Sequence, residues 1–194
     1  TFLAQEKNVE IVNHGSECES FLSTLDHVQS RNFDDDQIIY FLEDDYLHRP
    51  GWCDVLLEGF TINSSYVTLY DFEEFNHEDI LCKIFSTNKC HWRTVPAVTN
   101  TFACRYKTLL EDLDFHKKYS SEDAVKVKDG FHYSKDYDKF WELQKHKKYA
   151  ISSIPGWSTH CDANYTSPVI DWKQVINETY SITSNNNEKA FSYS

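Results

Sequence analysis

The sequence predicts an α/β sandwich built around a mixed sheet. Three observations lead there. Apolar runs of strand length, at 38–42 and 66–70, end abruptly in acids and turn residues. Segments with helical spacing separate the strands in the first half. The stretch 80–103 is then rich in strand-like residues before helix and strand return. A chain of 194 residues, 40% hydrophobic and 15% aromatic, suits one domain with a true core.

Taken in order, Phe2-Leu3-Ala4 reads as the tail of a helix, and Asn8 to Val12 alternates like a short strand. The turn Asn13-His14-Gly15-Ser16 follows. A glycine turn after a strand lets backbone N–H groups approach a phosphate or ribose, so Gly15 is a candidate cofactor contact, with an ordinary strand-to-helix turn as the plainer reading. From Glu19 to Val28, the residues Phe21, Leu22, Leu25 and Val28 share one helical face. A polar loop, 32–36, leads into the strand Ile38 to Leu42. Trp52 to Phe60 reads as a helix ended by Gly59. Tyr66 to Tyr70 is a second strand. Ile80 to Phe85 and His91 to Val98 are strands around a turn at Ser86-Thr87-Asn88, and Thr99 to Ala103 continues as a polar-then-apolar segment.

Lys107 to Tyr119 has helical spacing. Ser120 to Lys135 is the least patterned stretch and reads as a loop, either plain surface or a cover over a site. Lys135 to Lys147 predicts a helix with Phe140, Trp141 and Leu143 inward and Asp136 in its first turn. Tyr149 to Ile154 is a strand stopped by Pro155-Gly156. The Ser/Asn-rich tail sets the expected division: a domain over 1–179 and a flexible or docking extension over 180–194.

Composition narrows the function. A net charge of −12 disfavours a nucleic-acid backbone as partner and requires a local cation for any anionic substrate. The six cysteines, at 18, 53, 82, 90, 104 and 161, include no Cys-x-x-Cys pair, which argues against a zinc ribbon. Free thiols in a reducing, cytoplasmic compartment are expected. Sequons at Asn63, Asn164 and Asn177 are weak signals for secretion. No run of 18 apolar residues spans a membrane. The absence of Met and the start at Thr1 suggest a piece of a longer polypeptide carrying further domains.

The chemistry concentrates where the 38–42 strand runs into Glu43, Asp44 and Asp45. Ligands of open α/β sheets sit at the carboxyl ends of strands, and unpaired carboxylates there need cations. A divalent metal carrying a phosphate-bearing substrate is one partner; a solvated acidic turn is the other reading. The strand 66–70 also ends in an acid, Asp71. His160 adds a nitrogen ligand after the Pro-Gly turn, and a mixed Asp/His set suits manganese. Asp71, Asp136 and Asp171 are candidate general bases, each with the alternative role of a helix-start acid. Trp92 beside Arg93 can stack on a sugar or base and hold a phosphate, or be core and surface. Gly-x-Gly-x-x-Gly, P-loop and Gly-x-Ser-x-Gly patterns are missing, which disfavours dinucleotide enzymes, P-loop NTPases and hydrolases of the elbow type.

Six blocks occur in order: Tyr40 to Gly51 (Tyr-Phe-Leu-Glu-Asp-Asp-Tyr-Leu-His-Arg-Pro-Gly), Tyr66 to Asp71, His91 to Thr94, Thr99 to Ala103, Pro155 to His160, and Ser167 to Trp172. Together they resemble a small family of GT-A glycosyltransferases found in bacteria and large DNA viruses, above all the amino-terminal domains of chlorovirus members that decorate the capsid protein. The resemblance covers roughly residues 9 to 172. It implies a GT-A-like single domain with a central mixed, mostly parallel sheet flanked by helices. It also implies a metal-dependent hexosyltransferase, using Mn²⁺ or Mg²⁺, that moves a sugar from a UDP-sugar to a hydroxyl of a glycan or glycoprotein acceptor in the host cytoplasm. By that resemblance Glu43-Asp44-Asp45 is the Asp-x-Asp-type motif. Asp45 binds the metal, Asp44 or Glu43 contacts ribose or sugar, His160 completes the metal shell, and Asp136 lies near the acceptor. The resemblance implies that the family's first βα unit belongs before Thr1, and Glu43 stands where many members have Asp. A non-catalytic calcium- or carbohydrate-binding module is the rival reading of the same acids and tryptophans.

Overall fold

A six-stranded sheet in the order β1-β6-β3-β9-β5-β4 forms the centre of the computed structural model, which describes residues 9, 12, 14, 16–77, 79–121, 126–128, 131–133 and 135–191. The elements run α1 (Glu17–Ser30), β1 (Ile38–Phe41), β2 (Tyr46–His48), α2 (Trp52–Gly59), β3 (Tyr66–Thr68), β4 (Ile84–Ser86), β5 (His91–Val95), β6 (Phe102–Arg105), α3 (Tyr106–Glu111), α4 (Leu113–Ser120), β7 (Lys126–Lys128), β8 (Phe131–Tyr133), α5 (Asp136–Lys145), β9 (Ala150–Ile154), β10 (Ser158–His160) and α6 (Trp172–Phe191). The proposed helix tail at 2–4 and the strand at 8–12 lie outside the described residues, apart from Val9 and Val12.

The sheet is mixed, as expected, but not mostly parallel. Only β3 and β9 pair in parallel, whereas β1–β6, β6–β3, β9–β5 and β5–β4 are antiparallel. The reason lies in the middle of the chain. Short connections join β4 to β5 as a hairpin, and β6 inserts between β1 and β3, so two strands run against the rest. This arrangement still leaves β1, β3 and β9 pointing one way, with their carboxyl ends on one edge of the sheet and the start of β6 beside them.

Period-two alternation divides the strand residues between two cores. Tyr66 and Phe102 join Phe21, Leu25, Leu109, Phe140 and Leu143 under α1, α3, α4 and α5. Their neighbours Val67 and Ala103 face Val55, Leu56, Leu69, Trp92 and Ile151 under α2. β1 reads as a buried strand in sequence, yet Ile38, Ile39 and Tyr40 are only half-buried, because β1 is an edge strand.

Several boundaries differ from the sequence reading for local reasons. Gly59 is the last residue of α2, and what it supplies is closeness: a Cβ there would lie 2.7 Å from Val67 Cγ1 and 2.9 Å from the Trp92 ring. The single helix expected over 107–119 is two, α3 and α4, meeting at Asp112, whose carboxylate accepts from the buried Tyr66 hydroxyl at 2.7 Å. Within the expected 120–135 loop, the described residues form the antiparallel pair β7–β8. On α5, Lys139 takes the inward place expected of Trp141, which is exposed. Helix α6 continues through Tyr180, where composition set a boundary. The six cysteines carry free thiols. Among the described residues no helix is long and apolar enough to cross a membrane.

Candidate functional site

The site is assembled by a ladder that the sequence pattern did not reveal. Strand β2, directly after the acids, pairs antiparallel with β10, putting His160 opposite Tyr46, Thr159 opposite Leu47 and Ser158 opposite His48. The pairing extends one step further, where the Cys161 N–H donates to the Asp45 carbonyl at 2.7 Å. Two residues remote in sequence are thereby brought together: His160 Nε2 lies 3.0 Å from Asp45 Oδ2. The Asp162 N–H donates to His160 Nδ1 at 2.9 Å. With Nδ1 accepting, the ring proton sits on Nε2 and points at Asp45. Tyr46 backs the pair, its ring edge-on to His160 at 5.2 Å and to Tyr70 at 5.4 Å, its hydroxyl 3.3 Å from Thr99 Oγ1.

A second group of acids surrounds a buried amine. Lys139 is fully buried on α5; its Nζ donates to Asn100 Oδ1 at 3.0 Å and lies over the rings of Phe21, Phe102 and Phe140. Asn100 in turn donates to Glu17 Oε1 at 3.2 Å. Glu43 is half-buried and held from the start of β6, where Thr101 Oγ1 donates to its carboxylate at 3.1 Å. Burial pushes the Glu43 carboxyl up to about 7, the Thr101 hydrogen bond opposes this, and the charges of Glu17, Asp45 and Asp136 add to it. Burial also raises Asp136, against the pull of Lys139. The Lys139 amine is brought down to about 8 by burial, with Asp136, Glu17 and Glu43 resisting.

Three grooves open near these groups. One of about 360 Å³ lies between α1 and β1, with Glu17, Thr24, Ile39, Leu42, Glu43 and Asn100 among its walls. A second, about 340 Å³, contains Asp136 and Tyr137 with Phe72, Glu74, Phe75 and Thr99. A third, about 350 Å³, lies between Tyr70 and Tyr165.

Among the residues singled out in sequence, Asp45, His160, Glu43 and Asp136 fall at or beside this edge. Asp44 is exposed in the turn between β1 and β2. Gly15 lies outside the described residues. Four assignments are corrected. Trp92 is fully buried beneath α2, with its Nε1 donating to Thr87 Oγ1, and has no face for a sugar. Arg93 is buried too, its two terminal nitrogens donating to Asp71 (2.6 Å), the carbonyls of Phe72 and Phe75, and Asn76 Oδ1, while its Nε is buried without a hydrogen-bond partner among the described residues. Asp71 is thereby removed as a base. Asp171 caps α6, its Oδ1 accepting from the backbone N–H groups of Lys173 and Gln174 at 3.1 Å. Glu17, Asn100, Thr101 and Lys139 were missed. Lys139 carried one readable signal, its place in the 136–139–140–143 stripe that α5 turns inward.

The Asp45–His160 contact is a hydrogen bond of 3.0 Å, a separation that also suits two neighbouring ligands of a divalent ion once the Nε2 proton is displaced. Groups at right angles and ~2.1 Å from a six-coordinate ion are about 3 Å apart. Among the described residues no cluster of three or more His, Cys, Asp or Glu is placed to hold a metal. The pair would thus supply two positions, and substrate oxygens and water the rest, the usual arrangement for magnesium-like ions on phosphates. No protein-family model matches the chain, and no curated protein or solved structure matches it either.

Proposed function

We propose that this chain is a metal-dependent glycosyltransferase that moves a sugar from a UDP-sugar to a hydroxyl of a glycan acceptor. The observation that carries the reading is the 3.0 Å contact between Asp45 and His160 at the carboxyl edge of β1, β3 and β9, with an oxygen and a nitrogen donor converging where an α/β sheet offers its ligand site. A divalent ion bound there would supply the positive charge that stabilises a diphosphate leaving group.

The chain's own residues have separable tasks. Asp45 and His160 would hold the ion. Glu43, tied to Thr101, borders the groove beside α1 and limits how much negative charge the edge carries near neutral pH. Asp136, half-buried in its own groove, takes the acceptor proton. The acceptor oxygen bonds to the anomeric carbon, the bond from that carbon to the phosphate oxygen breaks, and the diphosphate leaves with the electron pair. Burial of Asp136 favours this role, because a carboxylate raised from its ordinary value is a stronger base.

The test is calorimetry of UDP binding with and without Mn²⁺. Wild type should bind UDP at least about tenfold more tightly with the ion, and Asp45→Asn and His160→Ala should each lose that gain. UDP affinity indifferent to Mn²⁺ in wild type refutes the ion's role. Failure of any nucleoside diphosphate to bind refutes the donor class.

A further inference from the structure

The groove between Tyr70 and Tyr165 has no part in holding an ion or a diphosphate, yet it is a built site. It holds about 350 Å³ and is lined by Tyr70, Glu73, Glu74, His77, Asn164 and Tyr165. Its walls come from the segment after β3 and from a 3₁₀ turn, Ala163–Tyr165, after β10. The Tyr70 hydroxyl ties them together, donating to the Tyr165 carbonyl at 2.6 Å. Each wall is also fixed from behind. The Asp162 carboxylate accepts from both the backbone and side-chain nitrogens of Asn164, at 2.9 and 3.0 Å. The buried Arg93 holds the carbonyls of Phe72 and Phe75 and the side chain of Asn76. A pocket whose walls are held before a ligand arrives spends little binding energy on ordering them.

The lining has the chemistry of a carbohydrate subsite. Tyr165 leaves 53% of its surface in solvent, an aromatic face onto which the C–H side of a sugar ring can pack. Glu73 and Glu74 accept hydrogen bonds from hydroxyls, and the Asn164 amide can both donate and accept. The two carboxylates, in a chain of net charge −12, disfavour a phosphate, a uronate or a nucleic-acid backbone, although His77 Nε2 lies 3.8 Å from the Glu73 carboxylate. Position supplies the last part. Tyr165 lies edge-on to His160 at 5.6 Å, and Glu74 also lines the groove that contains Asp136. The groove therefore borders the Asp45–His160 pair on one side and shares Glu74 as a wall with the groove of Asp136 on the other.

We infer that this groove binds an uncharged sugar ring, the acceptor end of a glycan, with Tyr165 as its stacking platform and Glu73, Glu74 and Asn164 as its hydroxyl readers. The acceptor role rests on the glycosyltransferase reading; the sugar site itself does not.

Saturation-transfer NMR on the full chain tests it, with the methyl glycosides of glucose, galactose, mannose and xylose as neutral probes and methyl glucuronide as the anionic one. At least one neutral glycoside should bind wild type. Tyr165→Ala should weaken it by about five- to tenfold, while Tyr165→Phe, which keeps the ring, stays within about twofold. Methyl glucuronide should bind only when Glu73→Gln and Glu74→Gln are combined. No binding by any neutral glycoside, equal binding by Tyr165→Ala, or glucuronide bound by wild type as well as glucoside would each overturn the inference. Calorimetry with UDP and Mn²⁺ separates the two claims. Tyr165-dependent sugar binding without nucleotide binding leaves the groove and removes the donor; nucleotide binding with sugars blind to Tyr165 does the reverse.

Discussion

Replacing Asp71 by Asn asks whether the Arg93–Asp71 pair is scaffold or ligand site. The two side chains keep 6% and 1% of their surface and meet at 2.6 Å. Asparagine fills the same volume and can still offer a carbonyl oxygen, so the change removes charge with little change in shape. What remains is a guanidinium buried without its counter-ion, a situation that costs about 3–5 kcal/mol. Arg93 retains the carbonyls of Phe72 and Phe75 and the side chain of Asn76, which points to the lower end, about 3 kcal/mol. For a chain of this size that corresponds to a fall in Tm of roughly 6–12 °C, read by circular dichroism at pH 7. A cycle with Arg93→Met should show the double variant less damaged than the two single losses added together, because no orphan charge is left. A Tm within about 2 °C of wild type, together with lost UDP affinity, would refute the argument and return Arg93 to the phosphate.

Three further outcomes follow from the same geometry. Gly59→Ala should destabilise by about 1–3 kcal/mol in urea unfolding even though alanine is the better helix former by about 1 kcal/mol, because the new methyl meets Val67 and Trp92; a stabilised variant would show that closeness is not why glycine is there. Glu43, at about 7 when folded and near 4.5 otherwise, binds more protons in the native state between those values, so its contribution to stability is present below pH 4.5 and lost as pH rises through 7. Glu43→Gln in the ion-free chain should therefore gain about 2–3 kcal/mol on wild type between pH 4.5 and 7.5, and parallel stability curves would exclude the shift. Lys139, at about 8 when folded against 10.5 otherwise, binds fewer protons in the native state between those values, so its charge costs stability below pH 8 and the cost disappears as pH rises towards 10.5. That rise should be missing in Lys139→Met, as followed by denaturant unfolding from pH 7.5 to 10.

What the sequence disclosed and what it hid follow from the range of the interactions involved. Helix α1 was legible because Phe21, Leu25 and Val28 repeat on one face, and the β4–β5 hairpin because its turn is local. The acids after β1 were legible because unpaired carboxylates have no place in a core, whereas Asp71 enters it only with Arg93 beside it. The sheet's direction was not, since inserting β6 between β1 and β3 depends on pairings such as Ile39 with Cys104 and Val67 with Ala103, which no short window contains. Trp92 and Arg93 misled because adjacent strand residues face opposite ways. One entered the core under α2 and the other met Asp71, and neither destination is written in the dipeptide. The β2–β10 ladder was hidden for a different reason: each strand has only three residues, too few to show a period, although it is this ladder that sets His160 against Asp45.

That ladder also constrains how an ion would enter. A neutral imidazole that ligates through Nε2 must carry its proton on Nδ1. Here Nδ1 already accepts the Asp162 N–H at 2.9 Å, and two N–H groups cannot share that contact. Binding an ion at His160 Nε2 therefore breaks the Asp162 hydrogen bond, whether the proton moves across the ring or the ring turns over. The strain falls on the turn that Asp162 caps through Asn164, leaving the β2–β10 register in place. Titrating diamagnetic Mg²⁺ with UDP into ¹⁵N-labelled protein should shift the Asp162 amide and speed its hydrogen exchange, while the Cys161 amide, bonded to the Asp45 carbonyl, remains protected. If Mg²⁺ and UDP bind and the Asp162 amide keeps both its shift and its protection, His160 Nε2 is not a ligand. Its role would then be to orient Asp45 by donating the proton it already holds.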